Sequence, residues 1–141
     1  MKITKEILKM DLDIEDSYIV EFIWNDRKID LRLDPDDVSI EETLILANKI
    51  IGEFEIYFKK AEDTIVNDFL KNYNENWSDN ENGYPKLNEM EFRNNLKVSG
   101  INFLSNDCID IFFTENGMFG NHSLIAQSFD GENFENSTMY G

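Results

Sequence analysis

Residues Ser39 to Asn74 read SIEETLILANKIIGEFEIYFKKAEDTIVNDFLKNYN and carry the strongest periodic pattern in this chain. Apolar residues recur there at alternating steps of three and four, which places one set on a single helical face: Leu44, Ala47, Ile51, Phe54, Phe58, Ala61 and Ile65. Ser39 and Glu42 have the spacing of a capping box. The dipeptide Asp34-Pro35 prevents the helix from extending backward. The sequence therefore predicts helical structure over residues 39–75.

The length of this segment predicts a kink or a split in it. A helix of about 36 residues spans roughly 54 Å, whereas a compact chain of 141 residues has a diameter of roughly 37 Å. Gly52 and the polar patch Lys59–Asp63 are the two candidate positions. A protruding helix that pairs with a second copy is less favoured, because the apolar stripe is too short for a coiled coil.

Strand patterns flank the helical segment. Residues 17–34 predict an antiparallel hairpin, because apolar and polar residues alternate on both sides of a turn at Asn25–Lys28. Four alternate residues of the first strand are expected to face the helix: Tyr18, Val20, Phe22 and Trp24. Residues 1–16 are poorly defined and fit a short helix or an edge strand.

The chain after the helical segment predicts a short helix and then more strands. Asn88 and Glu91 form a second capping-box pattern, which predicts a helix over residues 86–95. Residues 96–141 alternate between strand-like runs and turn signals, so we predict an antiparallel β-meander there. The fold class is therefore α+β in a single domain, residues 1–141, with the sheet packed on the helix.

Charge and composition restrict the classes of partner. The chain has 29 acidic and 13 basic residues, a net charge of −16. This argues against binding nucleic acid or an anionic membrane surface, both of which need a basic footprint. It permits a basic protein partner whose approach is steered electrostatically. The sequence has no apolar run of membrane-spanning length and no signal-peptide pattern. Its single cysteine, Cys108, cannot form a disulfide within the chain and is expected to be buried. We therefore predict a cytoplasmic protein.

The sequence contains no catalytic constellation. His122 is the only histidine and lies beside a turn flanked by glycines. We expect its ring nitrogens to hold that turn by hydrogen-bonding backbone, the alternative being contact with a ligand or partner. Without a second histidine or a cysteine pair, no spacing selects a transition-metal site, and phosphate-binding glycine loops are absent. We therefore predict no metal and no cofactor.

The carboxy-terminal half carries a recognisable order of landmarks. A helix ends in Tyr73-Asn74-Glu75-Asn76-Trp77, a glycine-flanked turn spans Gly117 to Ser123, and Asp130-Gly131 follows a strand. From Asp68 to Gly141 this order resembles a family of small bacterial domains of unknown function, although Asn121 is inserted before His122. Comparable small acidic domains occur among immunity proteins of bacterial toxin systems, and the resemblance implies a similar role by analogy.

Two function hypotheses follow. The first is a non-enzymatic domain that binds a basic protein, such as an immunity-type inhibitor, through its acidic helix face. The second is a small ligand-binding domain or enzyme with its site at Gly117–Ser123, which predicts a pocket beside His122. The candidate contact residues are His122, Asn121, Phe119, Trp77, Glu53 and Glu55. The protein is expected to be a monomer or a homodimer.

Overall fold

The structure, a computed structural model, describes residues 1–141 and shows one mixed β-sheet covered on one face by helices. In chain order the elements are β1 (Lys9–Met10), β2 (Tyr18–Trp24), β3 (Arg27–Asp34), α1 (Ile40–Gly52), α2 (Phe54–Asn72), α3 (Glu89–Asn94), β4 (Lys97–Leu104), β5 (Cys108–Thr114), β6 (Ser123–Ser128) and β7 (Phe134–Tyr140). The α+β class is confirmed. No helix combines the length and the hydropathy that crossing a membrane requires.

The amino-terminal hairpin is tighter than the sequence pattern indicated. Trp24 pairs with Arg27, so the turn consists of Asn25 and Asp26 alone. Both residues have positive φ, 50° and 61°, as a two-residue turn between twisted strands requires. The predicted four-residue turn was too long, because the polar character of Arg27 and Lys28 reflects their exposure rather than a loop.

The long helical segment is split directly after Gly52, at Glu53. Ser39 and Glu42 form both hydrogen bonds of the capping box that opens α1. Glu53 leaves the helical region, with φ −133° and ψ 44°, and α2 begins at Phe54. The second candidate position, Lys59–Asp63, is continuous helix. A π-helical turn, Tyr73–Trp77, ends the segment.

All seven strands belong to one sheet, in the order β1 to β7. Five of the six neighbouring pairs are antiparallel, but β3 and β4 are parallel, with Leu31 opposite Ile101. A parallel pair needs a long crossover, and the helices supply it. The predicted antiparallel hairpin and meander are present, and the parallel pair that joins them is the part that sequence patterns did not predict.

The core lies between the helices and one face of the sheet. Alternate residues of the central strands point into it and are fully buried, among them Leu31, Ile101, Phe103, Ile111 and Phe113. Cys108 was expected in this core but is only partly buried, because the strand alternation puts Ile109 inside instead. Burial nevertheless raises the pKa of the Cys108 thiol to about 11, so the thiol stays protonated at neutral pH.

Candidate functional site

Two surface depressions contain residues that the sequence analysis singled out. The polar pocket, of about 450 Å³, is lined by Asn94, Asn95, Lys97, Thr114, Glu115, Asn116, Asn121, His122 and Ser123. The helix-break cleft, of about 390 Å³, is lined by Trp24, Ile51, Gly52, Glu53, Phe54, Glu55 and Ile56. Glu53 and Glu55 lie at the start of α2, whereas Trp77 follows its far end. The 19 residues of α2 span about 28 Å.

The polar pocket is assembled from three separate parts of the chain. The end of α3 and the start of β4 supply one wall, the end of β5 supplies the second, and the loop before β6 supplies the third. This last segment, Glu115–His122, is called the pocket loop. Four of its residues have positive φ: Asn116, Gly117, Gly120 and Asn121. Asparagine and glycine tolerate this backbone region best, which explains the composition of the loop.

A buried carboxylate organises the pocket loop. The Glu115 side chain accepts hydrogen bonds from the backbone N–H groups of Gly117, at 2.7 Å, and Phe119. Glu115 is only 2% exposed. A buried charge is costly unless it is fully hydrogen-bonded, and these two amides satisfy both carboxylate oxygens. The loop is therefore fixed around Glu115 rather than free to change shape.

Phe119 anchors the same loop from the core side. Its ring lies 5.4–6.4 Å, between ring centroids, from four other aromatic side chains: Phe69, Tyr73, Trp77 and Phe92. Phe119 is fully buried. Its packing supports the loop residues on either side of it. That Phe119 touches a ligand or partner directly stays a prediction.

His122 holds the turn by a backbone hydrogen bond and also lines the polar pocket. Its Nδ1 atom is hydrogen-bonded to the carbonyl of Phe119, and because the carbonyl is an acceptor, Nδ1 carries the proton. The ring also lines the polar pocket. On another side it faces Trp77, with 6.2 Å between ring centroids. His122 therefore holds the turn and presents part of its ring to the pocket, next to Asn121.

The helix-break cleft combines acidic and apolar groups. Trp24 packs edge-on against Phe54, with 4.8 Å between ring centroids, and closes the apolar side. Glu53 and Glu55 are exposed, and neither forms an ion pair within the chain. Ile56 is 53% exposed beside them. Two unpaired carboxylates thus border a partly open aromatic and aliphatic surface.

A charged cluster fixes the angle of the helix break. Glu132, in the β6–β7 loop, contacts Lys49 of α1 at 2.8 Å and Lys60 of α2 at 3.0 Å. The Tyr57 hydroxyl donates a third bond to it, at 3.0 Å. Lys49, Lys60 and Tyr57 together lower the pKa of Glu132 to about 2. One carboxylate therefore bridges the two helices across the break.

Neither depression contains an arrangement typical of a metal site. No group of three or more histidine, cysteine, aspartate or glutamate side chains is placed to hold a metal ion. The ionisable groups of the polar pocket are Lys97, Glu115 and His122. Glu115 already uses both oxygens within the loop, so the groups left to a ligand are amides, hydroxyls, the imidazole and one ammonium.

A family model described as an uncharacterised protein conserved in bacteria, DUF2262, matches residues 6–139. The chain belongs to the DUF2262 family. This confirms the resemblance to a bacterial family of unknown function and extends it from the carboxy-terminal half to nearly the whole chain. The DUF2262 description names no activity and no partner. Neither the curated proteins nor the solved structures gave a match.

Within this DUF2262 chain, sequence reasoning found part of each depression. It selected His122 and Asn121 of the polar pocket, and Glu53 and Glu55 of the cleft. The range proposed for the second site, Gly117–Ser123, also includes Ser123. Sequence reasoning missed the other pocket walls, namely Asn94, Asn95, Lys97, Thr114, Glu115 and Asn116. The Glu115-Asn116-Gly117 turn signal was a usable hint for one wall. No sequence signal pointed to the wall formed by α3 and β4, because only the pairing of β4 with β5 brings that wall to the loop.

Proposed function

We propose that this protein is a non-enzymatic binding domain that recognises a basic protein in the cytoplasm, as an immunity-type inhibitor does. The observation that carries this proposal is the helix-break cleft. There, two carboxylates without ion-pair partners border an aromatic and aliphatic surface. The proposal assigns the contact with the partner to Glu53 and Glu55, with Trp24 and Ile56 beside them.

The chemistry of the cleft suits an arginine or lysine side chain. The aliphatic stem of such a residue packs on an aromatic ring, while its charged head stays near carboxylates. Charge-assisted hydrogen bonds between an arginine and a carboxylate are stronger than neutral ones. Trp24 supplies the ring and Glu53 and Glu55 supply the carboxylates, so one basic residue of the partner can use all three.

An exposed aliphatic residue adds apolar surface to the cleft. Ile56 on α2, which lines it, is 53% exposed. Exposed aliphatic side chains near a charged depression provide the apolar part of a protein interface. The net charge of −16 accelerates the approach of a basic partner, and that acceleration weakens as salt screens the charges.

The test is affinity capture at low and high salt, followed by kinetics with the purified partner. The tagged protein is compared with the double variant Glu53→Lys/Glu55→Lys. The control is Glu81→Lys/Glu135→Lys, which makes the same change in net charge at exposed glutamates outside the cleft. We expect a basic protein that is released by salt. Its association rate with the cleft variant should fall about tenfold below that with the control.

Two results would contradict this function. Equal association rates for the cleft variant and the control would show that the cleft is not part of the interface. Association that does not change with salt would show that charge does not drive the encounter. Capture of a partner with an acidic surface would also contradict the charge argument, because the negative net charge of this protein would repel that partner.

The second candidate function is binding of a small ligand, or catalysis on one, at the polar pocket. The observation that favours it is the pocket beside His122, whose volume of about 450 Å³ lies in the range of small-molecule sites. A ligand screen by thermal shift tests it. We expect stabilisation of the wild-type protein by a ligand and loss of that stabilisation in His122→Ala.

A further inference from the structure

We propose that the polar pocket binds a neutral, hydroxyl-rich molecule of the saccharide class; this inference rests on the second candidate function. The starting observation is the lining, because none of its nine residues is hydrophobic. Burying a flat aromatic ring or an acyl chain there gains little, since the hydrophobic effect needs apolar surface on both sides. A hydrophilic ligand fits these walls.

Amide side chains dominate the lining. Asn94, Asn95, Asn116 and Asn121 all face the pocket, and each amide both donates and accepts hydrogen bonds. A sugar hydroxyl has the same double capacity, so neighbouring hydroxyls of a ring match an array of amides. Asn116 Nδ2 donates to Asn95 Oδ1 at 2.7 Å. This internal bond orients two of the amides before a ligand arrives.

The charges of the pocket disfavour a strongly ionic ligand. Each Glu115 oxygen already accepts an amide hydrogen, from Gly117 or Phe119, and the residue is buried, so it offers little carboxylate surface to a cation. Lys97 is the only ammonium in the lining, and the chain as a whole carries −16, which repels anions. A neutral polar ligand needs no free carboxylate, as a cation would, and is not repelled by the net charge, as an anion would be.

The walls are also preformed. The pocket loop is fixed by Glu115 from within and by Phe119 from the core, which lowers the conformational cost of binding. Trp77 does not line the pocket, but its ring packs against that of His122, which does, and so supports that wall.

The test is titration of the ¹⁵N-labelled protein with D-glucose, N-acetyl-D-glucosamine and maltose, with sodium acetate and inorganic phosphate as anionic comparisons. We expect at least one sugar to shift the backbone signals of Asn116, Asn121 and His122. The variant Asn121→Gly keeps a residue that tolerates positive φ but removes the amide. It should weaken sugar binding about fivefold, the effect of losing one hydrogen bond.

Asn25→Gly is the matched control, because Asn25 also has positive φ and does not line the pocket. It should bind sugar as the wild type does. Equal binding by Asn121→Gly and wild type would overturn the proposal. If acetate or phosphate shifts the pocket signals and no sugar does, the ligand class is wrong while the second candidate function survives. If no compound shifts them, the saccharide proposal is overturned, and the thermal-shift screen decides the second candidate function.

Discussion

The helix break and the pocket loop both interrupt regular secondary structure, but different forces hold them. At the helix break, Glu132 joins Lys49 of α1 to Lys60 of α2, and its side chain is 46% exposed. In the pocket loop, Phe119 and Glu115 are buried and contact other buried groups or backbone amides. The break therefore depends on charges near water, and the loop depends on packing away from it.

This difference indicates how each surface responds to its surroundings. Ion pairs near the surface are screened by salt and contribute modestly to stability. Buried aromatic packing is insensitive to salt and contributes much more. The Glu132 bridge at the break should therefore weaken as salt is added. The packing of the pocket loop should not respond to salt.

The largest expected effect tests the packing of the pocket loop. Phe119→Ala removes a fully buried ring and should lower the free energy of unfolding by about 3–5 kcal/mol. Denaturant unfolding measures this. The control is Phe129→Ala, which truncates a ring that is 58% exposed and should change stability far less. Similar losses for the two variants would show that Phe119 is not the anchor.

A smaller effect is expected from the carboxylate inside the same loop. Glu115→Gln keeps the shape but leaves only one acceptor oxygen for two backbone amides. The free energy of unfolding should fall by about 1–3 kcal/mol, the cost of an unsatisfied buried group. The exposed control Glu135→Gln should stay within about 0.5 kcal/mol of wild type. Equal stability of Glu115→Gln and wild type would contradict an organising role for this carboxylate.

At the helix break, the prediction concerns pH. The folded-state pKa of Glu132 is lowered from 4.5 to about 2, so ionised Glu132 stabilises the fold at pH values above 4.5. That contribution is lost as the pH falls toward 2. Glu132→Gln should therefore be less stable than wild type at neutral pH and equally stable near pH 2. The urea midpoints of the two proteins across this pH range measure the difference in stability. If that difference does not shrink on acidification, ionised Glu132 does not stabilise the helix break.

The smallest effect concerns the residue at the break itself. A Cβ at Gly52 would meet nothing within 4 Å, and its φ is not positive. Gly52→Ala should therefore stabilise the protein by about 0.5–1 kcal/mol, because alanine loses less conformational entropy in a helix. Thermal unfolding measures it. Destabilisation would mean that the break requires glycine and is not imposed by the contacts around it.

Sequence patterns predicted the helices and strands of this fold well, because these elements depend on residues close together in the chain. The capping boxes at Ser39 and Asn88 were both correct, since a cap depends on residues only three positions apart. Comparing the length of the helix with the size of a compact domain predicted a break, with Gly52 and Lys59–Asp63 as the two candidate positions, and the structure has it directly after Gly52. The hairpin turn was placed correctly but drawn too long, because exposed strand residues resemble loop residues in composition.

The functional surfaces were predicted less completely. His122 and Asn121 were selected because a glycine-flanked turn is visible in the sequence. Their neighbours Lys97 and Asn94 were not, because they lie more than twenty positions away along the chain. Phe119 was named as a candidate contact residue, and its loop folds that side chain inward. Strand alternation cannot give the direction of a side chain in a loop.

The sequence alone determined the α+β class, the order of the elements and the acidic surface, because hydrophobic period, capping and charge are properties of short segments. The tertiary structure decided the rest. The parallel pairing of β3 with β4 joins the hairpin to the meander, and the pairing of β4 with β5 closes the polar pocket. The Glu132 bridge spans more than seventy positions. Such contacts depend on which segments meet in space, and no local pattern specifies that.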